Sequence, residues 1–542
     1  MDEQRLPAAS PQAGPAAFGR IDFALLLVLV LIAGGLRSWQ LAHTEVAARD
    51  SIGYIRIAWR LEHEIAKQHS PARDGDWPKV VRTAAQHPGY PAALLLVSYP
   101  VRYLHGGDLP MAMQCSAQLT SVFASVLLVV PMYLLGRGMF DRRTGFVAAL
   151  LFQCLPTSGR LMADGLSEPL FLLCACAALL AAHYGLRKGS PWWFAGVGVW
   201  GGLAYLTRPE GAFIIAATGV VLVGQQAFAR WRRPWSGFLQ SGALLAWGAL
   251  TVGGPFVLIV GHLTTKNTPI QVLNTAAAQA SAKVWVGEEQ EEPETGGDGA
   301  PGLPASNAPM PLARGQALWL FVATLGKGFF YVLWLPALLG LWLGRERFWS
   351  APVCWVLVLV CLALGFFLYR VPVVMGYLSD RHTVLILFCA TFWMAAGVCH
   401  FGDPVTGIVG GWRLAGGAGV AALLVPLVAV ALVKTLEPLH TDRIPYREAG
   451  YWLARNAGPE DEIDDPYCWA SFYAGRVFTE EEPPATGPRV CYVVVEKLPG
   501  GRQPRLAPKT PREKLHEQQI KKTWPVKRGK AESQVVVYAV PE

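Results

Sequence analysis

Long apolar runs separated by short polar stretches recur along most of the chain, and they constrain its fold more than any other feature. A helix needs about 20 mostly apolar residues to cross a bilayer. The stretch 21–39 meets that length, and further runs lie at 112–136, 145–157, 166–185, 192–207, 211–227, 238–263, 317–343, 351–369, 383–400 and 414–433. They predict a polytopic α-helical membrane protein of about eleven transmembrane helices. The runs at 145 and 192 are short for a full crossing, and 91–104 reads as an interfacial piece. The first run is long for a signal peptide and has no small-residue cleavage site, so it is expected to be retained. Composition agrees: 52% of residues are hydrophobic and 16% charged, with mean hydropathy +0.31. A soluble domain could not bury so much apolar surface. Disorder, collagen and a small disulfide scaffold are excluded.

The formal charge of +8 comes as short basic clusters between apolar runs. That is the positive-inside pattern rather than a nucleic-acid-binding stripe. Arg137, Arg142 and Arg143, then Arg187 and Lys188, then Arg230, Arg232 and Arg233, then Arg345 and Arg347 fall on one side of an eleven-span chain. This side is expected to be cytoplasmic, with the Ala/Pro-rich tail 1–20. The other side receives the loops 40–111 and 264–316 and everything after Lys434. Residues 21–433 then form the membrane module.

The loop 264–316 carries a Gly/Pro/acidic stretch that cannot pack a core and is expected to be mobile and dispensable for folding. Residues 434–542 hold 33 of the chain's 86 charged residues, a composition shift that marks a domain boundary. The pattern there is helix (446–456), strand (491–496), helix (512–522), strand (534–540), a small external α/β domain. Eight of the ten cysteines sit in or beside apolar segments, where Cys acts as a small hydrophobe. Cys468 and Cys491 lie in the polar tail, and a disulfide between them is expected if that tail is on the oxidising side.

Polar groups at the external membrane edge are the candidates for chemistry, because ionisable residues there are costly. Asp50 stands at the start of an amphipathic stretch, 48–69. It either caps that helix or presents a carboxylate as a base. His87 and Tyr90 lie in the rigid sequence His-Pro-Gly-Tyr-Pro, which either shapes the chain's re-entry or faces a ligand. Asp164 and Glu168 are four apart and would share a helical face; they either favour a helix dipole or orient a substrate. Arg208 is next to Pro209 and Glu210, in a structural ion pair or at a phosphate. Arg381, beside His382, either snorkels to headgroups or binds a phosphate.

In chain order these motifs, Asp50, HPGYP (87–91), ADGLSEP (163–169), LTRPEG (206–211) and SDRH (379–382), resemble the GT-C glycosyltransferases. The likeness is to family 39, the protein O-mannosyltransferases and aminoarabinose transferases, over about residues 20–435. Relatives often carry an adjacent Asp–Glu pair in the first loop, whereas Asp50 stands between Arg49 and Ser51. The resemblance implies a sugar moved, with inversion, from a polyprenyl-phosphate carrier to a glycan, lipid or protein acceptor outside the cell membrane. Asp50 would be the base. Asp164, Glu168, His87 and Tyr90 would orient sugar or acceptor, and Arg208, Arg381 and His382 would bind the donor phosphate. The lipid-linked sugar is the co-substrate. No metal-ligand spacing is evident, and a divalent ion held by acidic residues stays open. The alternatives are a polytopic transporter or lipid flippase, which would place polar residues deep in its spans, and an assembly protein whose tail binds partners.

Overall fold

The computed structural model describes residues 18–70, 74–228, 231–266, 312–408, 418–479, 489–499, 506–528 and 531–541. The acidic stretch predicted to be mobile, and most of the loop containing it, fall outside these residues, as does the N-terminal tail to residue 17.

A helix stands at each apolar run. In chain order they are α1 (Arg20–Ala42), α2 (Arg49–Gln68), α3 (Trp77–Thr83), α4 (Gly89–His105), α5 (Leu109–Met139), α6 (Arg142–Cys154), α7 (Pro156–Leu161), α8 (Glu168–Lys188), α9 (Trp192–Thr207), α10 (Gly211–Ala227), α11 (Trp235–Val260), α12 (Arg314–Gly328), α13 (Trp334–Leu343), α14 (Val353–Met375), α15 (Val384–Ile408) and α16 (Ala418–Thr435). Among the described residues, six helices are long and apolar enough to cross a membrane unaided: α1, α5, α8, α11, α14 and the one ending in α15. Local chemistry sets several of the starts. Asp108 and Asp141 cap α5 and α6, accepting from the backbone N–H of Met111 at 3.1 Å and Thr144 at 2.8 Å. The expected single run 317–343 is instead split into α12 and α13. Phe330 and Tyr331 turn left-handed there, just after glycines 326 and 328.

The main core lies among α1, α5, α6, α8, α9, α14 and α15, around Leu128, Phe152, Phe171, Phe194, Leu357 and Phe388. The outward faces are apolar too: Leu31 is 65% exposed, Leu258 85% and Phe366 69%. Apolar surface on that scale matches a lipid-facing belt. The chain is a multi-pass membrane protein.

The basic clusters gather at one end of the bundle. Asp22, fully buried, pairs with Arg137 at 2.9 Å and Arg142 at 3.0 Å. Arg187 donates to Gly138 O, Arg233 to Gly185 O and Gly189 O, and Trp231 stacks on Trp349. The five polar motifs and the C-terminal region occupy the opposite end.

The C-terminal region has α17 (Ile444–Asn456), β1 (Glu462–Asp464), α18 (Trp469–Tyr473), β2 (Val490–Lys497), β3 (Ile520–Arg528) and β4 (Ala531–Pro541). The sheet order is β1-β2-β4-β3, with β1 parallel to β2 and the other pairs antiparallel. The helix expected over 512–522 is absent. Two short 3₁₀ turns lead there into β3. This is an edge strand, and Lys521, Lys522 and Pro525 suit an edge, where charge and a missing N–H discourage further pairing. The expected Cys468–Cys491 disulfide is also absent. Cys491 lies on β2 with its Sγ 3.9 Å from Thr510 Oγ1, while Cys468 begins α18 in a left-handed conformation.

This region does not stand apart from the first loop. Tyr446, Trp469, Phe472 and Tyr473 share one core with Ile52, Tyr54, Tyr90 and Leu94. Trp469 Nε1 donates to Ala47 O at 3.0 Å, and the Tyr473 hydroxyl accepts from Ala47 N at 3.1 Å.

Candidate active site

Four of the candidate residues form one continuous chain of charge. Arg381 sits in a 3₁₀ turn (Asp380–Thr383) leading into α15. Its guanidinium turns inward rather than to lipid: Nη1 bonds Asp50, and Nε donates to Glu168 Oε1 at 2.9 Å. Arg208 ends α9 in an extended conformation, and its Nη1 forms an ion pair with the same Glu168 oxygen at 2.7 Å, without hydrogen-bond geometry. Its Nη2 pairs with Glu210 at 3.0 Å, so the expected local pair forms as well.

Each position follows from its element. Asp50 is the second residue of α2. It does not cap that helix, because the N-cap is Ala48 and no side chain caps it. Its carboxylate is instead 42% exposed at the mouth of the site. Glu168 is the first residue of α8, fully buried, where the helix dipole favours a negative charge. Its Oε2 is buried with no hydrogen-bond partner, as is Nδ1 of His382, which lies within electrostatic reach of Arg208, Glu210 and Arg381. Buried polar atoms left open in this way are what a ligand would be expected to satisfy.

Asp164 and Glu168 do not share a helical face as their spacing suggested. Asp164 lies in a turn before α8, and the next residue, Gly165, is left-handed at φ +66°. Asp164 therefore faces elsewhere and accepts from, or shares a proton with, His440 Nε2 at 2.7 Å. It stays beside the charge chain through Ser51, whose hydroxyl lies 2.9 Å from both Asp164 O and Gly165 O.

His87 and Tyr90 form the wall behind the charges. Both are fully buried. His87 bonds Tyr205 O through Nδ1 at 2.8 Å and Thr264 through Nε2 at 3.0 Å. Burial, reinforced by nearby Lys266, lowers its pKa to about 4, so the ring is neutral. Tyr90 donates to Ala117 O at 2.7 Å and packs edge-on against Tyr54. The turn they define interlocks with the arginine loop: a Cβ on Gly89 would lie 2.7 Å from Leu206 O and 2.9 Å from Thr207 N.

Lys266 adds a cation that sequence reasoning missed. It follows α11 within electrostatic reach of Arg208, Glu210 and Glu168, and its backbone N–H donates to Thr264. Burial, together with Arg208, lowers its pKa to about 8. Burial disfavours ionised Glu210, but Arg208 and Lys266 outweigh it and hold that carboxyl far below the usual range. His440, Ser51 and Tyr54 were also missed. Lys266 carried the same signal as the others, an ionisable residue just beyond a span, yet it opened a loop, 264–316, that read only as linker. Among the described residues no three His, Cys, Asp or Glu side chains gather as metal ligands.

A family profile described as Dolichyl-phosphate-mannose-protein mannosyltransferase matches residues 108–247. Among solved structures, ArnT from Cupriavidus metallidurans bound to undecaprenyl phosphate superposes at TM-score 0.51 and 14% identity, over 95% of this chain and 97% of that one. Its apo state gives the same figures. The fold is that of the GT-C glycosyltransferases, and the chain resembles their family 39. The Archaeoglobus fulgidus oligosaccharyltransferase, in a complex with Zn and sulfate, also aligns, at TM-score 0.50 and 13% identity, over 85% of this chain but 58% of that one. No curated protein matches the chain in sequence. The profile match runs from the cap of α5 into α11 and so contains Asp164, Glu168, Arg208 and Glu210, while Asp50, Lys266 and Arg381 lie outside it.

Proposed function

We propose that the chain is a membrane glycosyltransferase that moves a sugar from a polyprenyl-phosphate carrier to an acceptor on the external side. The observation that carries this reading is the run of ion pairs Asp50–Arg381–Glu168–Arg208–Glu210, exposed at Asp50 and buried at Glu168 and Arg208, at one end of a GT-C bundle. A leaving phosphate needs preorganised cations in a dry site. Arg208, Arg381 and Lys266 supply them, and His382 lies within electrostatic reach of both arginines. The acceptor hydroxyl needs a base at the mouth, and Asp50 is the exposed carboxylate there. Asp164 orients the acceptor from the neighbouring turn. His87 and Tyr90 hold the wall against which the sugar rests.

Transfer is a single displacement. The acceptor oxygen bonds to the anomeric carbon while the carbon–oxygen bond to the phosphate breaks on the opposite face, which inverts the configuration. The hydroxyl proton passes to Asp50, and the bonding electrons leave with polyprenyl phosphate. Asp50 and Glu168, the carboxylates nearest the reaction, are already engaged by Arg381. Arg208, Arg381 and Lys266 already supply cationic charge there, so turnover is expected to survive chelation. The membrane is the inner or cytoplasmic one. The N-terminus and basic loops face the cytoplasm, and residues 434–542 lie outside.

The test is donor use by Arg381 variants. Arg381→Ala is expected to raise KM for the lipid-linked sugar about tenfold or more, and Arg381→Lys to recover only part, because an ammonium cannot reproduce the guanidinium fork. Unchanged donor kinetics in both would remove Arg381 from the phosphate site.

A further inference from the structure

Arg381 occupies the carboxylate that the reaction needs as a base. Its two bonds are unequal. Glu168 is fully buried, holds Nε and is braced on the same oxygen by Arg208. Asp50 holds only Nη1 and is 42% exposed, where water competes for both partners. A second anion entering the mouth would therefore take Arg381 from Asp50 rather than from Glu168.

Charge counting leads to the same step. Asp50, Glu168 and Glu210 face Arg208, Arg381 and Lys266, so this group of charges is balanced while no donor is bound. In that state Asp50 is poorly placed to take a proton, because Arg381 Nη1 already occupies its Oδ2. A phosphate diester adds one negative charge and competes for the arginine.

We propose that donor binding switches on the base. The phosphate takes Arg381 Nη1 from Asp50, and the released carboxylate oxygen is then open to the acceptor hydroxyl and takes its proton. This rests on the function proposed above. The cycle balances: Asp50 gains the hydroxyl proton as the new glycosidic bond forms, and polyprenyl phosphate departs with the old bond's electrons. When that product leaves, the proton passes from Asp50 to water and Arg381 returns to the carboxylate. Asp50 is thus both the base and an internal competitor for the phosphate site. Removing its charge should abolish turnover yet tighten binding, the opposite of what loss of a supporting residue would do.

Binding of undecaprenyl phosphate to the full chain in nanodiscs tests this, with thermal unfolding of each variant as the control for folding. Asp50→Asn is expected to bind about tenfold tighter than wild type, a coupling typical of two linked sites. Arg381→Ala is expected to bind at least about tenfold weaker, and adding Asp50→Asn to it should bring no gain. Asp50→Ala should tighten binding like Asp50→Asn, which guards against an amide-specific artefact. If Arg381→Ala loses binding but both Asp50 variants bind like wild type, the exchange is wrong while the phosphate role stands. If Arg381→Ala binds like wild type, the phosphate role and the exchange fall together.

Discussion

Glu168 receives two guanidiniums on a single oxygen and has no exposure of its own. Removing one partner of a buried ion pair leaves the other charge uncompensated, at a cost of about 3–5 kcal/mol. Glu168→Gln is therefore expected to lower the unfolding temperature in detergent as well as activity. An unfolding temperature equal to wild type would mean that Glu210 and Asp50 alone suffice to hold Arg208 and Arg381. Lys266 gives the site a pH limit. Its pKa is lowered to about 8, so its charge is present below that value and lost as pH rises through it. Affinity for undecaprenyl phosphate is expected to fall between about pH 7 and 9, and Lys266→Ala to flatten that fall. The sequence exposed Asp50, Glu168, Arg208 and Arg381 individually, because charges at span ends stand out against apolar runs. Their pairing was not legible: Asp50 and Arg381 are 331 positions apart, and only the closed bundle brings them together.

Between elements, the tightest constraint is the packing of the HPGYP turn on the LTRPEG loop. Backbone atoms of Leu206 and Thr207 occupy the space where a Gly89 side chain would begin. Gly89→Ala must push the end of α9 away, and Arg208 with it. Activity is expected to drop about tenfold or more, with donor affinity reduced, in protein that still inserts in the membrane. Normal kinetics would show that Arg208 does not depend on that contact. Element patterns were readable where periodicity was strong, as in α17, β2 and β4. They failed at 512–522, where charged residues that suit a helix surface also suit an edge strand. The left-handed break at Phe330 and Tyr331 had no signal beyond the preceding glycines. The cysteine pairing was argued from compartment alone, without the geometry that decides it.

At the scale of the whole molecule, the C-terminal region differs in composition from the preceding chain yet shares a core with the first loop. Tyr446, Trp469 and Tyr473 pack with Ile52, Tyr54 and Tyr90 beside the site. A chain ending at Lys434 is expected to lose folded protein and all activity, and adding the tail as a separate polypeptide should restore little. Full activity of the truncated chain would show that the shared core is dispensable. Reporter fusions should read as cytoplasmic after Arg143 and Arg233 and as external after Lys434; a cytoplasmic tail would overturn the orientation. Composition marked a shift near Lys434 but gave no sign of the docking, because the apolar residues that join the two regions are scattered through polar sequence. The central claim is most directly tested by supplying purified protein with polyprenyl-phosphate-linked sugars and candidate acceptors, and measuring the polyprenyl phosphate released together with the anomeric configuration of the product. Wild type should release the lipid phosphate and form an inverted glycoside, while folded Asp50→Asn, still able to bind donor, should be slower by about two orders of magnitude or more. An Asp50→Asn variant as active as wild type, or a product with retained configuration, would contradict it.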